Sequence, residues 1–496
     1  MSTAFFAIIQ AYCRSCLWFP LFHNYHPFHR SISVRNRAHI RSYSSPLPLC
    51  SEVGCDTVEY GYQCSVDISH SWGQYSPYFS VPSEISDEIP PQCTVDFVQI
   101  LSRHGARDPT ASKTTSYNNT ITKIHKNVKN YTGIYSFLAD YEYTLGADQL
   151  TLFGQQQMIN SGIKFYDRYT SLAANNTPFV RSSSEARVVE SAQNWTQGFH
   201  TTKLDAGVPD QSYPYPLVVI SEADGSNNTL NHDLCDVFEN GPDSNIASSA
   251  QAQWTAIFIP PIQARLNAAL PGANLSTTDT INLMDQCPFN TVASANGTVS
   301  AFCSLFTPAE WAQYGYYESL NKYYGYGAGN PLGPTQGVGF TNELIARLTS
   351  SPVNDSTSTN HTLDDNAATF PLGRALYADF SHDNDLTAIF FAMGLYDTPL
   401  LSNTSVETVE QTRGYSASAT VPFAARAYFE KMRCADRPGE ELVRVVVNDR
   451  VIPLRNCGVD ALGRCEVGAW VESLSFARSG GLWGQCFAGN ATAARR

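Results

Sequence analysis

The sequence carries little charge, and most of that charge is negative. Charged residues make up 16% of the 496 residues, and 45 acidic side chains outnumber 32 basic ones, which gives a net charge of −13 at pH 7. A chain without a basic excess is a poor partner for nucleic acid, so we expect no nucleic-acid binding. An anionic small molecule is still a suitable ligand, because a few arginines inside a cleft can override the overall field.

Long apolar runs, repeats and zinc-type motifs are also lacking. The apolar stretch at residues 4–12 is too short to span a bilayer, and no other stretch is apolar enough. We therefore expect no membrane association. The sequence has no internal repeat and no long low-complexity tract, and no cysteine or histidine spacing is typical of zinc.

The chain is long enough, and apolar enough, for more than one core. Hydrophobic residues make up 43% and aromatic residues 12% of the sequence, which argues against disorder, and a chain of this length usually divides into two domains. Strand and helix patterns alternate over residues 49–230 and 336–490, which predicts an α/β sheet flanked by helices. Residues 231–335 show few strand signals, so we predict a smaller, mainly helical inserted domain there.

Cysteines and glycosylation sequons indicate an oxidising compartment. Of the 13 cysteines, three lie in the first fifty residues, and the others, from Cys55 to Cys486, form an even set suited to disulfides. Asn-x-Ser/Thr sequons recur along the chain, at Asn118, Asn130, Asn175, Asn194, Asn227, Asn274, Asn296, Asn354, Asn360, Asn403 and Asn490. Residues 1–48 are interpreted as a leader or signal region that is removed. We therefore expect a secreted, glycosylated monomer.

Three short predicted strands are each followed at once by charged side chains. These segments are residues 103–107 after the strand 94–101, residues 181–184 after the strand 179–180, and residues 382–385 after the strand 376–380, before a helix predicted over 386–396. Ligands of α/β folds bind outside the carboxyl ends of the strands, where helix N-termini offer N–H groups. We therefore expect the three segments to meet at one anion site.

The residue types at these strand ends suit phosphoryl transfer. Arg103, Arg107 and Arg181 offer planar forks that keep their charge, and charge stabilisation is most of what this reaction needs. His104 lies between two arginines, which should lower its pKa and keep it a neutral nucleophile in acid. Asp383 is suited to protonate the leaving oxygen and then to activate water.

The block Ser102–Pro109 (SRHGARDP) and the later pair His382–Asp383 resemble the two signatures of the histidine acid phosphatases, and in detail those of the fungal phytases. Gly105 within the block is expected to let the backbone approach a phosphate closely. Other similar segments are residues 69–79 (SHSWGQYSPYF), 160–169, 323–348, 379–396 and 458–481. The resemblance extends over about residues 53–487, so the chain is identified as a member of this family.

The resemblance implies a fold, a reaction and roles for single residues. The implied fold is α/β, the phosphoglycerate-mutase-like histidine phosphatase fold, with a central mixed sheet flanked by helices and a smaller helical domain beside the active site. His104 is implied as the nucleophile and Asp383 as the proton donor, and the implied substrate-binding residues are Arg103, Arg107, Arg181, His382, Asn384 and Lys322. No metal and no organic cofactor are implied. The implied disulfides are Cys55–Cys64, Cys93–Cys434, Cys235–Cys486, Cys287–Cys303 and Cys457–Cys465.

Several residues depart from the fungal phytase pattern. Asp108 stands where an aromatic residue is typical, and Asp385 where glycine is common. Ile134, Ala139 and Asn321 lie in stretches where lysines often face the outer phosphates of the substrate. Each change removes positive charge or adds negative charge near a polyanion, so selectivity for phytate is left open while the chemistry is not.

The leading interpretation is a secreted acid phosphatase that forms a phosphohistidine and hydrolyses phytate (myo-inositol hexakisphosphate) to lower inositol phosphates. A broad-specificity histidine acid phosphatase acting on small phosphate monoesters is the alternative. A secreted, non-catalytic protein that binds anions is the third interpretation, and the intact pair of His104 and Asp383 argues against it.

Overall fold

The computed structural model describes residues 54–487, so the interpreted leader at 1–48 and the sequon at Asn490 lie outside the described residues. The strands of the described part are Asp56–Thr57 (β1), Gly61–Tyr62 (β2), Cys93–Arg103 (β3), Phe179–Ser183 (β4), Leu217–Ile220 (β5), Leu376–Ser381 (β6), Arg426–Cys434 (β7), Leu442–Val447 (β8), Arg450–Ile452 (β9) and Cys465–Glu466 (β10). The α-helices are Val66–Ser69 (α1), Ala111–Asn127 (α2), Leu152–Arg168 (α3), Thr170–Ala173 (α4), Ala186–Asp205 (α5), Asp236–Asn240 (α6), Ile246–Ala269 (α7), Thr277–Ala293 (α8), Pro308–Tyr326 (α9), Val338–Thr349 (α10), His361–Asp364 (α11), Asp383–Ala392 (α12), Ala417–Thr420 (α13), Val467–Ser473 (α14) and Ser475–Arg478 (α15).

Eight of these strands form one mixed sheet. Its order is β10-β8-β7-β3-β6-β4-β5, and β9 pairs with β8. The pairs β3–β6, β6–β4 and β4–β5 are parallel, whereas β3–β7, β7–β8 and β8–β10 are antiparallel. The predicted mixed α/β sheet is therefore confirmed.

The parallel strands β3, β4 and β6 end at the same edge of the sheet. Arg103 on β3 is the register partner of Ser381 on β6, and Ser182 on β4 is the partner of Phe380 on β6. The residues that follow these strands therefore leave the sheet side by side. The segments 103–107 and 382–385 therefore begin at this edge as expected, whereas residues 181–183 of the third segment still lie within β4.

The sheet packs against helices on both faces, because successive side chains of a strand point to opposite faces and both sets are apolar here. On β3, Val98 and Ile100 belong to one buried cluster, which includes Phe165 of α3 and Trp195 of α5. Leu101 of the same strand belongs to the other cluster, which extends to α12 and to the helices α7–α9. Burying an aliphatic or aromatic side chain of this size contributes roughly 1.5–3 kcal/mol each, so the two layers hold the strand ends in fixed positions.

Residues 231–335 contain helices but no strand in the described structure, as their composition predicts. The helices α7, α8 and α9 pack on one another, and α2, from outside this range, joins them through Thr120 and Lys123, whose side chains reach Asp279 at 2.9 and 2.7 Å. The buried cluster around them is continuous with one face of the sheet. The helical character is thus observed, and the division into domains at 231 and 335 stays a prediction.

All five implied disulfides are present. They join Cys55–Cys64, Cys93–Cys434, Cys235–Cys486, Cys287–Cys303 and Cys457–Cys465. The pair Cys93–Cys434 ties the start of β3 to the end of β7, where the two residues are already register partners. Among the described helices, none is both long and apolar enough to cross a bilayer.

The helix predicted over 386–396 begins and ends earlier than expected. It starts at Asp383, with His382 as its N-cap residue, and ends at Ala392. Gly394 stops the helix by adopting φ 65°, a left-handed conformation that a glycine adopts at no steric cost. The early start places Asp383 and Asn384 in the first turn of a helix, where backbone N–H groups lack helical partners.

Candidate active site

A cleft of about 360 Å³ opens at the carboxyl edge of the parallel strands. The segment after β5, the first turns of α5 and α12, and the end of α9 contribute to its wall. The lining residues are Gln74, Tyr75, Arg107, Thr110, Glu185, Arg187, Glu222, Asn231, His232, Asp233, Asn321, Lys322, Tyr326, His382, Asp383, Asn384 and Asp385. The cleft is therefore polar and contains both cations and carboxylates.

His104 follows β3 and is almost completely buried, with 1% of its surface exposed. Its Nδ1 lies 2.8 Å from the carbonyl oxygen of Gly105. A carbonyl oxygen only accepts, so Nδ1 donates and the lone pair is on Nε2. The imidazole ring meets that of His382, which lines the cleft, edge to face at 5.6 Å. His104 thus presents an unprotonated nitrogen next to the cleft.

The surroundings of His104 hold its pKa well below the usual value. Burial is the largest cause, because it disfavours the charged imidazolium, and the cations Arg103 and Arg187 add to it. The neutral imidazole is the nucleophilic form. The predicted pKa shift thus has the expected direction, although burial rather than the neighbouring arginines is its main cause.

Asp383 holds two cations with one carboxylate. Its Oδ1 lies 3.2 Å from Nη2 of Arg103, and its Oδ2 lies 2.5 Å from Nζ of Lys322. Burial by itself would raise the pKa of Asp383, but these two ion pairs outweigh it and hold the pKa well below the usual value. In this arrangement Asp383 is ionised, so it needs a proton before it can act as an acid.

Arg103 and Arg107 lie on either side of His104 and are both buried. Arg103 donates to the backbone oxygens of Gln74 and of Val421, the latter at 2.8 Å, and lies 4.5 Å above the ring of Phe423. Arg107 lines the cleft and donates to the backbone oxygen of Asp108 at 2.8 Å. Both guanidinium groups are therefore fixed in place by backbone contacts.

Arg181 lies outside the cleft, within the sheet. It lies within β4, is 1% exposed, and is not among the lining residues of the cleft. Its Nε donates to Asp379 at 2.8 Å and its Nη2 to Glu343 at 2.6 Å. Asp379 is its register partner on β6. The structure therefore does not bring Arg181 into the cleft, because its guanidinium group is engaged in a buried ion-pair network.

Arg187, which carries no motif in the sequence, is a further arginine of the cleft. It is the second residue of α5, lines the cleft, and is ion-paired with Glu185. It is also one of the cations that lower the pKa of His104. The signal for it was available, because the first turn of a helix that follows a strand points to the carboxyl edge of the sheet.

His382 lies between two carboxylates of the cleft. Its Nε2 is 3.4 Å from Glu222 and 3.7 Å from Glu185. Neither glutamate has a signal in the sequence, because the two lie in separate segments without a motif. Ligand atoms of the three residues lie within 4.8 Å of one another, a spacing that could hold a metal ion. Glu185 is already paired with Arg187, and its backbone N–H donates to Glu222.

Lys322 and Asn384, both predicted to bind the substrate, form another part of the wall. Lys322 is buried near the end of α9 and donates to Oδ1 of Asn384 at 2.6 Å. Nδ2 of Asn384 faces Nε2 of His232 at 3.4 Å. The ring of Tyr326 lies 5.1 Å from that of His232. His232 and Tyr326 had no sequence signal, because they come from segments far from both signatures.

The departures from the fungal phytase pattern fall into two groups. Asn321 and Asp385 line the cleft, whereas Asp108, Ile134 and Ala139 do not. Ile134 and Ala139 are exposed on a short helical segment. Asp385 is buried, and burial raises its pKa to about 6. Two of the five departures therefore lie in the wall of the cleft.

Gly105 serves packing of the backbone. A Cβ atom at Gly105 would lie 2.3 Å from the backbone oxygen of Gly154 on α3. The N–H of Gly105 donates to Oγ of Ser191 on α5 at 3.1 Å. In this structure the glycine therefore lets two helices approach the segment that carries His104.

The chain matches a known protein family and is similar to curated relatives over most of its length. Residues 94–448 match the model of the histidine phosphatase superfamily (branch 2). The chain is 56% identical to Phytase A of Emericella nidulans over 449 residues, 90% of this chain and 96% of that protein. It is 53% identical to Phytase A of Aspergillus oryzae over 451 residues, again 90% and 96% of the two chains.

A solved structure shows the same architecture. The crystal structure of the phytase from D. castellii matches with a TM-score of 0.69 at 25% identity, and the match covers 84% of this chain and 86% of that one. Both the mixed sheet and the helices around it are therefore found in a protein named as a phytase.

Proposed function

Because the chain belongs to the histidine phosphatase superfamily (branch 2), we propose that it hydrolyses phosphate monoesters through a phosphohistidine, with phytate as its main substrate. The observation that carries the proposal is the buried, neutral His104 beside Asp383 and three arginines, Arg103, Arg107 and Arg187. The likeness to two proteins named Phytase A over 90% of the chain supports the choice of substrate.

In the first step, Nε2 of His104 attacks phosphorus and the bond to the ester oxygen breaks. Arg103, Arg107 and Arg187 stabilise the charge on the oxygens of the phosphoryl group in transfer. The leaving oxygen takes a proton from Asp383. The products are the free alcohol and a phosphohistidine. In the second step, water gives its proton to Asp383 and attacks phosphorus, the P–N bond breaks, and inorganic phosphate leaves.

The substrate supplies the proton that Asp383 lacks. A phosphate monoester has a second pKa of about 6, so below this pH it carries one proton. When its phosphate pairs with Arg103 and Lys322, the negative charge of the phosphate offsets the effect of these cations on Asp383, and the pKa of the carboxyl group rises. The proton can then pass to Asp383, which lies next to both cations.

This arrangement predicts activity in acid. An imidazole with an ordinary pKa of 6.5 would be only about 3% neutral at pH 5. The pKa of His104 is well below that value, so we expect kcat/KM for an aryl phosphate to be at least as high at pH 5 as at pH 7. Measuring kcat/KM from pH 3 to 8 checks this. A fall on acidification centred at pH 6.5 would mean that the nucleophile has no lowered pKa.

The ratio of kcat/KM for phytate to that for 4-nitrophenyl phosphate at pH 5 tests the substrate. We expect phytate to be preferred by about tenfold or more, because additional phosphate contacts add binding energy. Asn321 and Asp385 in the cleft favour the second candidate, a broad-specificity phosphatase. A ratio below one would establish that candidate and reject the phytase.

The proposal extends to secretion as a glycosylated monomer. Five disulfides and a set of sequons with exposed asparagines support it; these asparagines are Asn118, Asn130, Asn175, Asn274, Asn296 and Asn354. The polar, acidic surface fits a protein that works in an acidic medium, where many carboxylates are neutral.

A further inference from the structure

The cleft wall around His232 has no role in the two steps described above. His232 precedes α6, and 13% of its side chain is exposed. Its Nδ1 lies 2.7 Å from Glu239 and 3.3 Å from Asp233. These contacts orient the ring so that its other nitrogen, Nε2, faces Asn384, which lines the same cleft.

The orientation of Asn384 is fixed from its other side. Its Oδ1 accepts from Nζ of Lys322 at 2.6 Å, so the atom directed at His232 is the donor Nδ2, 3.4 Å from Nε2. Within residues 54–487, neither of these two nitrogens has another hydrogen-bond partner. A neutral imidazole could accept from the amide, whereas a protonated one could not.

Carboxylates keep His232 protonated. Burial by itself would lower its pKa, but Asp385, Glu239 and Asp233 raise it to about 9. At acidic and neutral pH, therefore, Nε2–H of His232 and Nδ2–H of Asn384 are donors that cannot satisfy each other. Glu239 and Asp233 are on the Nδ1 side of the ring. Asp385, with a pKa near 6, is largely neutral at pH 5.

A group of acceptor oxygens beside the two nitrogens, within reach of each, would satisfy both. We propose that His232 and Asn384 bind a second phosphate group of a polyphosphorylated substrate, beside the one that reacts at His104. The proposal rests on the proposed function, since it names what distinguishes phytate from a simple monoester. Lys322 is close enough to share this phosphate, because it already contacts Asn384. The subsite supplies a cation in a cleft that has Asn321 where a lysine is typical.

The test compares a polyanion with a single anion. The dissociation constants of myo-inositol hexakissulfate and of inorganic phosphate are measured by calorimetry at pH 5 for the wild type and for His232→Ala. We expect hexakissulfate to bind about tenfold more weakly to the variant, because the loss of one charge-assisted hydrogen bond typically has an effect of this size on the dissociation constant. Phosphate should bind within twofold of the wild type.

His200→Ala is the matched control. His200 also pairs with a carboxylate through Nδ1, 2.9 Å from Asp210, but it is not a lining residue of the cleft, so its removal should change neither constant. If His232→Ala weakened the binding of both ligands equally, His232 would have a structural role. If hexakissulfate binding were unchanged, His232 would have no role in binding, and either result overturns the proposal. If the alanine variant does not fold, His232→Gln keeps a donor without the charge and should weaken hexakissulfate at least threefold.

Binding and turnover report on different claims. Calorimetry needs no hydrolysis, so a wild type that binds hexakissulfate through His232 but does not hydrolyse phytate would reject the proposed function and retain the subsite. With an active wild type, His232→Ala should raise KM for phytate and leave kcat/KM for 4-nitrophenyl phosphate within twofold.

Discussion

Replacing His104 with alanine is expected to lower kcat on every phosphate monoester by about 10⁴-fold or more, because removal of a nucleophile eliminates the covalent route altogether. The neighbouring imidazole of His382 cannot replace it, since its Nε2 is held between Glu185 and Glu222. The loss is measured as phosphate release from phytate and from 4-nitrophenyl phosphate at pH 5. The enzyme concentration must be high enough to detect the residual activity of the variant.

The variant should fold as the wild type does. The backbone of His104 is held by its N–H, which donates to Ser381, and its carbonyl, which accepts from Ala424, and alanine keeps both bonds. His361→Ala is a suitable control, because half of that side chain is exposed on α11. Activity of His104→Ala within tenfold of the wild type would reject the phosphohistidine mechanism, and a wild type without activity would favour the non-catalytic anion-binding protein.

The catalytic edge could be predicted because it follows from local rules. The strands β3 and β6 are short apolar runs, and the residues after the carboxyl ends of parallel strands meet at one edge of a sheet. His104 and Asp383 follow such strands directly, so their convergence requires only that β3 and β6 are parallel neighbours, as they are. The pairing of the cysteines was also predictable, from the family resemblance.

Arg181 shows where this reasoning fails. A residue inside a strand points to a face of the sheet, whereas a residue at or beyond the end of the strand can reach the edge. The strand at 179–180 continues to Ser183 in the structure, which leaves Arg181 opposite Asp379 and covered by helices. The end of a short strand is hard to place from a sequence, and here a difference of three residues leaves Arg181 inside the sheet rather than in the cleft.

The outer wall of the cleft could not be predicted for a different reason. Glu222, His232 and Tyr326 come from three loops and helix ends with no shared motif or period. Their proximity depends on how the helices α6–α9 pack against the sheet edge, which is a property of the tertiary structure alone. Lys322 was found only through the resemblance to a family.

Arg187→Met and Arg181→Met form a pair of variants with opposite expected effects. Arg187→Met should lower kcat/KM by about 10²–10³-fold, the usual cost of losing a donor that stabilises transition-state charge, and change stability little. Because Arg187 helps to lower the pKa of His104, its removal should raise that pKa and move the acidic limb of the pH profile to higher pH. Arg187→Lys should restore part of both.

Arg181→Met should instead cost stability. It removes one of two arginines that neutralise Asp379, the other being Arg347 at 2.6 Å, and it leaves Glu343 buried with one fewer donor. Breaking a buried ion pair in this way costs about 3–5 kcal/mol, so the midpoint of denaturant unfolding should fall clearly while kcat/KM of the folded variant stays within threefold. If Arg181→Met abolished kcat/KM without loss of stability and Arg187→Met did not, the phosphate would be bound at Arg181, and the cleft described here would not be the active site.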